Sequence, residues 1–383
     1  MNFFGRSAPL LAQSGGEWTA KEILQQPAAW QQVERLIERD SNQLADFLAP
    51  ILKRPNARVV LTGAGSSAFI GRCLAPALRR RLAAYVTAIA TTDIVSGPTS
   101  TLSPNVPTLL VSFARSGNSP ESVAAVDLAE RQLGDCAHLI ITCNPEGQLK
   151  QQAMSLKRSR VLLLPDATHD RGFAMTSSFS GMLLAAGLSF GLPHAVGLGA
   201  IPGAARNILE GWQPRLDTLV AQGFERVVYL GANELQGLAQ EAALKLLELS
   251  DGRVVSLAES PLGFRHGPKT VLNGKSLVVM FVSNDSYTRR YDLDLLKELR
   301  NEGIAGRIIA LTSKDANHAD DLLLPGLGHV SDFELCLPFA VFAQSLALLQ
   351  SLSLGVRPDN PNAAGAVNRV VKGVSIYPAA QPA

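Results

Sequence analysis

Metal ligands and cross-links are scarce in this sequence. Its 383 residues hold four cysteines, Cys73, Cys136, Cys143 and Cys336, with no CxxC pair and no Cys/His ligand spacing. That spacing excludes a zinc module and a disulfide scaffold, and describes reduced, mostly buried thiols of a cytoplasmic protein. Charge of one sign is scarce as well: charged residues make up 18% of the chain and the formal net charge is +2. This balance gives no basis for a nucleic acid or a membrane surface as a partner. Long hydrophobic runs are also missing. Phe173 to Ala205 carries no formally charged residue, yet Ser177, Ser178, Ser180, Gly187, Gly191, Pro193, His194, Gly197 and Gly199 interrupt it. No apolar run in it reaches the roughly 20 residues a membrane span needs. It reads as a buried helix, about Ser178 to Phe190, followed by a Gly-rich loop. Met1 to Ala12 has one Arg and no unbroken apolar core, so a signal peptide is not expected.

What is present describes an α/β chain. Apolar residues make up 46%, and the length allows two well-packed domains. Thr19-Ala20-Lys21-Glu22 has the form of a capping box opening a short helix that Pro27 closes, and a helical pattern then runs from 28 to 53. Beyond it, β-branched runs alternate with helical stretches, the signature of a parallel sheet covered by helices. The first strands read Arg58 to Thr62, Thr108 to Phe113, His138 to Thr142 and Arg160 to Leu164. A second set reads Arg226 to Leu230, Ser276 to Val282, Arg307 to Thr312 and Asp321 to Leu324. Val59 to Val227 and Leu109 to Leu277 are both steps of 168, and Leu139 to Ile308 is 169. An internal duplication follows, joined by a connector around 200 to 222 that has room for a helix. Leu335 to Leu354 is more apolar than a surface helix, and calls for cover from the chain itself or from a partner.

Ligands of a parallel sheet sit beyond the carboxyl ends of its strands. The first strand is followed by Gly63-Ala64-Gly65-Ser66-Ser67, and the second by Ala114-Arg115-Ser116-Gly117-Asn118-Ser119. Each feeds a helix, so unpaired N–H groups, hydroxyls and the positive end of the helix dipole all favour a phosphate. Simple capping by Ser119 is the plainer reading of one such loop; two on neighbouring strands favour a shared anion site. Gly63-x-Gly65-x-x-Ala68 also fits a dinucleotide fingerprint, but Arg79 to Thr92 lacks the acidic residue that fingerprint requires.

Acid/base chemistry has its own candidates. Glu241, Lys245 and Glu248 fall on one stripe of an otherwise apolar helix, and a solvated face held by a Glu241–Lys245 pair is the plain alternative. Eighteen residues after Glu248 comes His266, on the polar Gly/Pro-broken loop Glu259 to Lys269 with Arg265 beside it. Such loops more often carry function than packing.

Together, Gly65-Ser66-Ser67, Ser116-Gly117-Asn118-Ser119, the helix ending near Glu248 and Arg265-His266-Gly267-Pro268 resemble the SIS (sugar isomerase) superfamily. Within it the chain is most similar to the galactosamine-6-phosphate deaminase/isomerase family, also labelled tagatose-6-phosphate ketose/aldose isomerase. His169-Asp170-Arg171-Gly172-Phe173-Ala174-Met175-Thr176 and Val367-Asn368-Arg369-Val370-Val371 carry that closer similarity. The resemblance implies two tandem SIS domains, at 54–200 and 223–355. A helical lead-in occupies 1–53, a connector 201–222, and a tail contributing to the active site 356–383. It implies an enzyme that turns galactosamine 6-phosphate into tagatose 6-phosphate and ammonia through an enediol or enolamine. Another sugar phosphate such as glucosamine 6-phosphate, or a non-catalytic sensor, is the alternative. Gly65, Ser66, Ser67, Arg115, Ser116, Gly117, Asn118, Ser119, Thr176 and Arg265 are the implied substrate-binding residues. Glu248 is the implied base and His266 the ring-opening residue; Lys372, with Arg369 second, matches a C-terminal lysine of a family member only loosely. His169 and Asp170 hold either substrate or their own turn. No metal or organic cofactor is implied, and the partner is a second copy of the chain, in a homodimer or larger homo-oligomer with shared sites.

Overall fold

The computed structural model describes residues 2–192, 198–371 and 373–378. Ten strands form two parallel sheets. They are β1 (Arg58–Thr62), β2 (Tyr85–Ala88), β3 (Thr108–Ala114), β4 (Cys136–Thr142), β5 (Ser159–Leu163), β6 (Arg226–Leu230), β7 (Val255–Glu259), β8 (Ser276–Phe281), β9 (Arg307–Thr312) and β10 (Leu322–Leu323). The first sheet has the order β2-β1-β3-β4-β5 and the second β7-β6-β8-β9-β10, every pair parallel. The register repeats with the order: Val59 pairs Leu109 in the first sheet, and Val227 pairs Leu277 in the second. Each sheet has an internal strand where the connection reverses direction, and parallel sheets bind ligands at that reversal.

The duplication therefore extends to two strands that the sequence pattern does not mark, β2 and β7. Both are edge strands of four or five residues. Only Val86 in β2 is fully buried, and β7 has no fully buried residue, so neither shows the apolar run of the central strands.

Apart from short helices at Ala8–Ser14, Thr91–Ser96, Pro98–Thr101 and Pro261–Phe264, the described α-helices are α1 (Glu17–Leu24), α2 (Gln26–Leu52), α3 (Ser66–Arg81), α4 (Pro120–Gln132), α5 (Gln148–Ala153), α6 (Ser177–Ser189), α7 (Ala200–Gly211), α8 (Gln213–Ala221), α9 (Glu234–Leu249), α10 (Thr288–Glu302) and α11 (Asp332–Ser353). The connector is thus two helices, α7 and α8. The expected capping box at Thr19 is not formed, because α1 already starts at Glu17 behind Gly16. Thr19 instead gives its hydroxyl to Asp359 at 2.7 Å, and Glu22 accepts backbone N–H groups from Arg171 and Gly172. Pro27 sits in the first turn of α2, where its fixed φ suits a helix start.

By compactness the described chain divides into two units. One takes in the described parts of Met1–Ala28, Asp170–Thr176 and His194–Ala363; the other takes in those of Ala29–His169, Ser177–Pro193 and Ala364–Ala383. The second sheet lies in the former and the first sheet in the latter. Their cores repeat too: Val60, Leu110 and Ile140 are buried in one, and Val228, Val278 and Ile308 in the other. α6 is apolar all round and buried, packing on α3. α11 is likewise apolar on every side, opens with a complete Ser331–Glu334 capping box, and lies against α7, α9 and α1. It is the one described helix long and apolar enough to cross a membrane, but 94% of its most apolar window is buried inside the fold. The chain itself supplies the cover that its composition demands.

Candidate active site

In the first-sheet unit, the loops after the paired strands β1 and β3 carry the expected phosphate ligands. Gly63 is fixed by crowding: a Cβ there would stand 2.5 Å from the Ser67 Cβ. Gly65 has φ +55° and ψ −129°, a conformation that disfavours any side chain, and it delivers the chain into α3. Ser66 and Ser67 are then buried in the first helical turn, where N–H groups face outward along the axis.

The second loop is built glycine on glycine. Gly117 has φ +67°, and a Cβ on it would meet the Gly147 Cα at 3.2 Å. The Ser116 carbonyl accepts from Asn144 Nδ2 at 2.7 Å, and the Ser116 hydroxyl oxygen accepts the Asn118 N–H at 3.3 Å, keeping its own proton to donate. Asn118 and Ser119 have structural work as well. Asn118 Oδ1 accepts from Gln148 N at the start of α5, and Ser119 caps α4 through Ser122. Both the capping role and the anion-site role fit Ser119.

Arg115 begins this loop and is only 7% exposed. Its Nη2 donates to the backbone carbonyl of Arg369, in the C-terminal tail, at 3.0 Å. Lys372, three residues on, lies outside the described residues.

The acid/base candidates belong to the second-sheet unit. The stripe on α9 is not a solvated face. Lys245 is 1% exposed, with Glu248 Oε2 at 2.5 Å and Glu241 Oε1 at 3.5 Å. The helix packs against α11 and β7, so its charged residues are enclosed except for Glu248, whose side chain is 24% exposed. A buried ammonium between two carboxylates is costly to assemble and costlier to break. Sequence reasoning left Lys245 as half of a solvated pair; the signal of its burial was a cation at i+4 between carboxylates at i and i+7 on a helix rich in Ala and Leu.

His266 follows the short helix Pro261–Phe264, which Ser260 caps and whose Phe264 is buried in the core. Arg265 ion-pairs Asp294 and Glu298, and Lys269 ion-pairs Glu298 and Glu302, so the loop is fastened to α10 on both sides of the imidazole. Arg265, implied as a substrate-binding residue, is held here by these ion pairs. His266 itself is exposed, and no hydrogen bond joins it to Glu248 among the described residues.

Thr176 is fully buried and commits its N–H and hydroxyl to Asp170, at 2.7 and 3.0 Å. This is the turn-stabilising reading of Asp170. Burial, and then the charge of Asp170, push the nearby Glu22 carboxyl up to about 8.

The second sheet repeats both loops in other residues. Gly231 crowds Leu235 as Gly63 crowds Ser67, and Asn233 adopts φ +52° and ψ −119° where the first half has Gly65. The loop after β8 is filled by the chain's own acids. Asp332, at the head of α11, accepts from the Ser283 hydroxyl at 2.5 Å and from Asn284 N at 2.7 Å. Asp292 accepts from Ser283 N at 2.9 Å.

Comparison with known proteins identifies the family. The SIS domain family matches residues 51–190, the span of the first sheet. The D-galactosamine-6-phosphate deaminase AgaS of Shewanella sp. (strain ANA-3) is 46% identical, the match covering 97% of this chain and 95% of that one. Its namesake from Escherichia coli is 45% identical over 96% and 97% of the two chains. Among solved structures, the tagatose-6-phosphate ketose/aldose isomerase of Escherichia coli superposes with a TM-score of 0.88 at 42% identity, covering 95% of this chain and 97% of that one.

Proposed function

Because the chain belongs to the SIS-domain family of the D-galactosamine-6-phosphate deaminases AgaS, we propose that it is a cytoplasmic enzyme converting galactosamine 6-phosphate and water into tagatose 6-phosphate and ammonia. The observation that carries this reading is Glu248, a partly exposed carboxylate held at 2.5 Å by a buried ammonium. Ser66, Ser67, Ser116, Ser119 and the amides around Gly65 and Gly117 hold the phosphate. His266 assists opening of the pyranose, and its exposed position suits entry into the site of a second copy in a homo-oligomer.

In the open sugar, Glu248 takes the proton from C2, the electron pair forms the C1–C2 double bond, and the C1 carbonyl oxygen takes up a proton from solvent, giving an enolamine. The same carboxyl returns the proton to C1 as the nitrogen lone pair forms the C2=N bond and one N–H proton passes to solvent, leaving a C2 imine that water hydrolyses to the ketone and ammonia. One base on one face serves both transfers, for roughly 10²–10⁴-fold in rate. Lys245 keeps the carboxylate oriented and its charge balanced between the two transfers.

Ammonia release from galactosamine 6-phosphate, with glucosamine 6-phosphate and tagatose 6-phosphate assayed in parallel, tests the reading. Wild type is expected to release ammonia from the galacto compound, and Glu248→Gln to lose about 10²-fold or more of that rate with sugar-phosphate binding retained. Interconversion of tagatose 6-phosphate with its aldose, without ammonia release, would replace the deaminase by the isomerase named for the superposed structure.

A further inference from the structure

Arg115 has no step in the proposed chemistry, yet it is the first residue after the central strand and its guanidinium is almost wholly buried. A buried guanidinium needs acceptors for its fixed fork of donors. One of them, at 3.0 Å, is the backbone carbonyl of Arg369. A carbonyl is offered by any residue at that position, so the contact selects the path of the tail and not a side chain.

The tail from Ala364 to Val371 has no helix or strand, and most of its residues are exposed. Such a segment holds one course only where side chains fasten it. The point of fastening is adjacent in sequence to Ser116 and Gly117, whose hydroxyl and amide belong to the proposed phosphate loop. In the second half the residue 168 positions later is Ser283, which has no guanidinium and gives its hydroxyl to Asp332. The contact of Arg115 with Arg369 therefore has no counterpart at Ser283.

We infer that Arg115 is a positioning residue, which fastens the C-terminal tail at Arg369 to the start of the phosphate loop so that tail placement and sugar-phosphate binding are coupled. The inference rests on the phosphate-loop reading given above. Coupling of this kind is reciprocal: phosphate in the loop steadies the tail, and the fastened tail raises affinity for the phosphate.

Two readouts test it, one independent of activity. Trypsin cleavage after Arg369, followed by mass spectrometry, reports the order of the tail. In wild type, inorganic phosphate should slow that cleavage. Arg115→Ala should speed it about tenfold, the worth of one charge-assisted hydrogen bond, and abolish the phosphate effect, while Arg115→Lys restores part of both. Calorimetric titration with galactosamine 6-phosphate is the second readout, on wild type, Arg115→Ala, a truncation removing 364–383, and the two combined. The substitution and the truncation should each weaken binding, and the combination no more than the truncation alone. Multiplying losses would make Arg115 a direct phosphate ligand and overturn the inference, as would unchanged cleavage in Arg115→Ala. If cleavage responds as expected but no sugar phosphate binds, the tail contact stands and the proposed substrate fails. Intact binding with unresponsive cleavage does the reverse.

Discussion

The two halves share one backbone and differ in what fills it. Gly65 and Asn233 hold nearly the same left-handed turn, but Ser66 and Ser67 follow the first and Glu234 and Leu235 the second. Across the sheet reversal, the first half offers Ser116 and Gly117, whereas the second closes its loop on the carboxylates of Asp332 and Asp292. A phosphate dianion cannot share a site with buried carboxylates without large repulsion. The helices invert the pattern. α9 carries Glu241, Lys245 and Glu248, and the residues 168 positions earlier on α3 are Cys73, Ala77 and Arg80. On the proposed function, duplication has let one copy keep the anion and the other keep the base, with no change of strand order.

The contrast is broken most severely at Lys245. Lys245→Met leaves Glu241 and Glu248 without their cation, and removal of one partner from a buried ion pair costs about 3–5 kcal/mol. A large fall in urea midpoint with loss of ammonia release is expected. Glu241→Gln combined with it should recover part of the stability, since one of the two stranded charges is then gone.

A sharper comparison sets Gly117→Ala against Asp285→Ala, its register partner in the second half. The alanine at 117 must adopt φ +67° and press on Gly147, so phosphate affinity should fall about tenfold or more in titration calorimetry. Asp285→Ala removes a cap on Thr288 N and should cost about 1 kcal/mol of stability, leaving affinity and a stoichiometry of one sugar phosphate per chain unchanged. Two phosphates per wild-type chain would contradict the division between the halves.

Asp292 gives the smallest effect. Burial pushes its carboxyl up to about 7, with the charge of Asp332 adding to the rise and Arg289 and the Ser283 N–H opposing it. Because the folded pKa is raised, this acid's stabilising contribution is full below about 4 and is lost as pH rises through 7. Asp292→Asn should flatten the slope of urea midpoint between pH 4 and 7. The corresponding first-half residue, Ala124, contributes no such slope.

Much of this organisation is legible in the chain's residue pattern. The step of 168 in residues such as Val59 and Val227 reveals the repeat, because central strands are buried on both faces and must be apolar throughout. The strands β2 and β7 escape that pattern because edge strands are covered on less of their surface. The Glu241–Lys245–Glu248 spacing is visible in the sequence and its burial is not, since enclosure depends on α11, a helix almost 100 residues further on. Non-local contacts explain the other misses. Nothing near Thr19 in sequence announces Asp359, and Arg115 meets a carbonyl 254 residues away.

The crowding at Gly63 and Gly231 bears on how relatives should be compared. A methyl group at either position would collide with the turn four residues ahead, whether or not that turn receives a ligand. Invariance of glycine at 231 across species would thus record steric necessity alone, and only the identities at 66, 67, 234 and 235 would tell an evolutionary comparison which copy still serves the substrate.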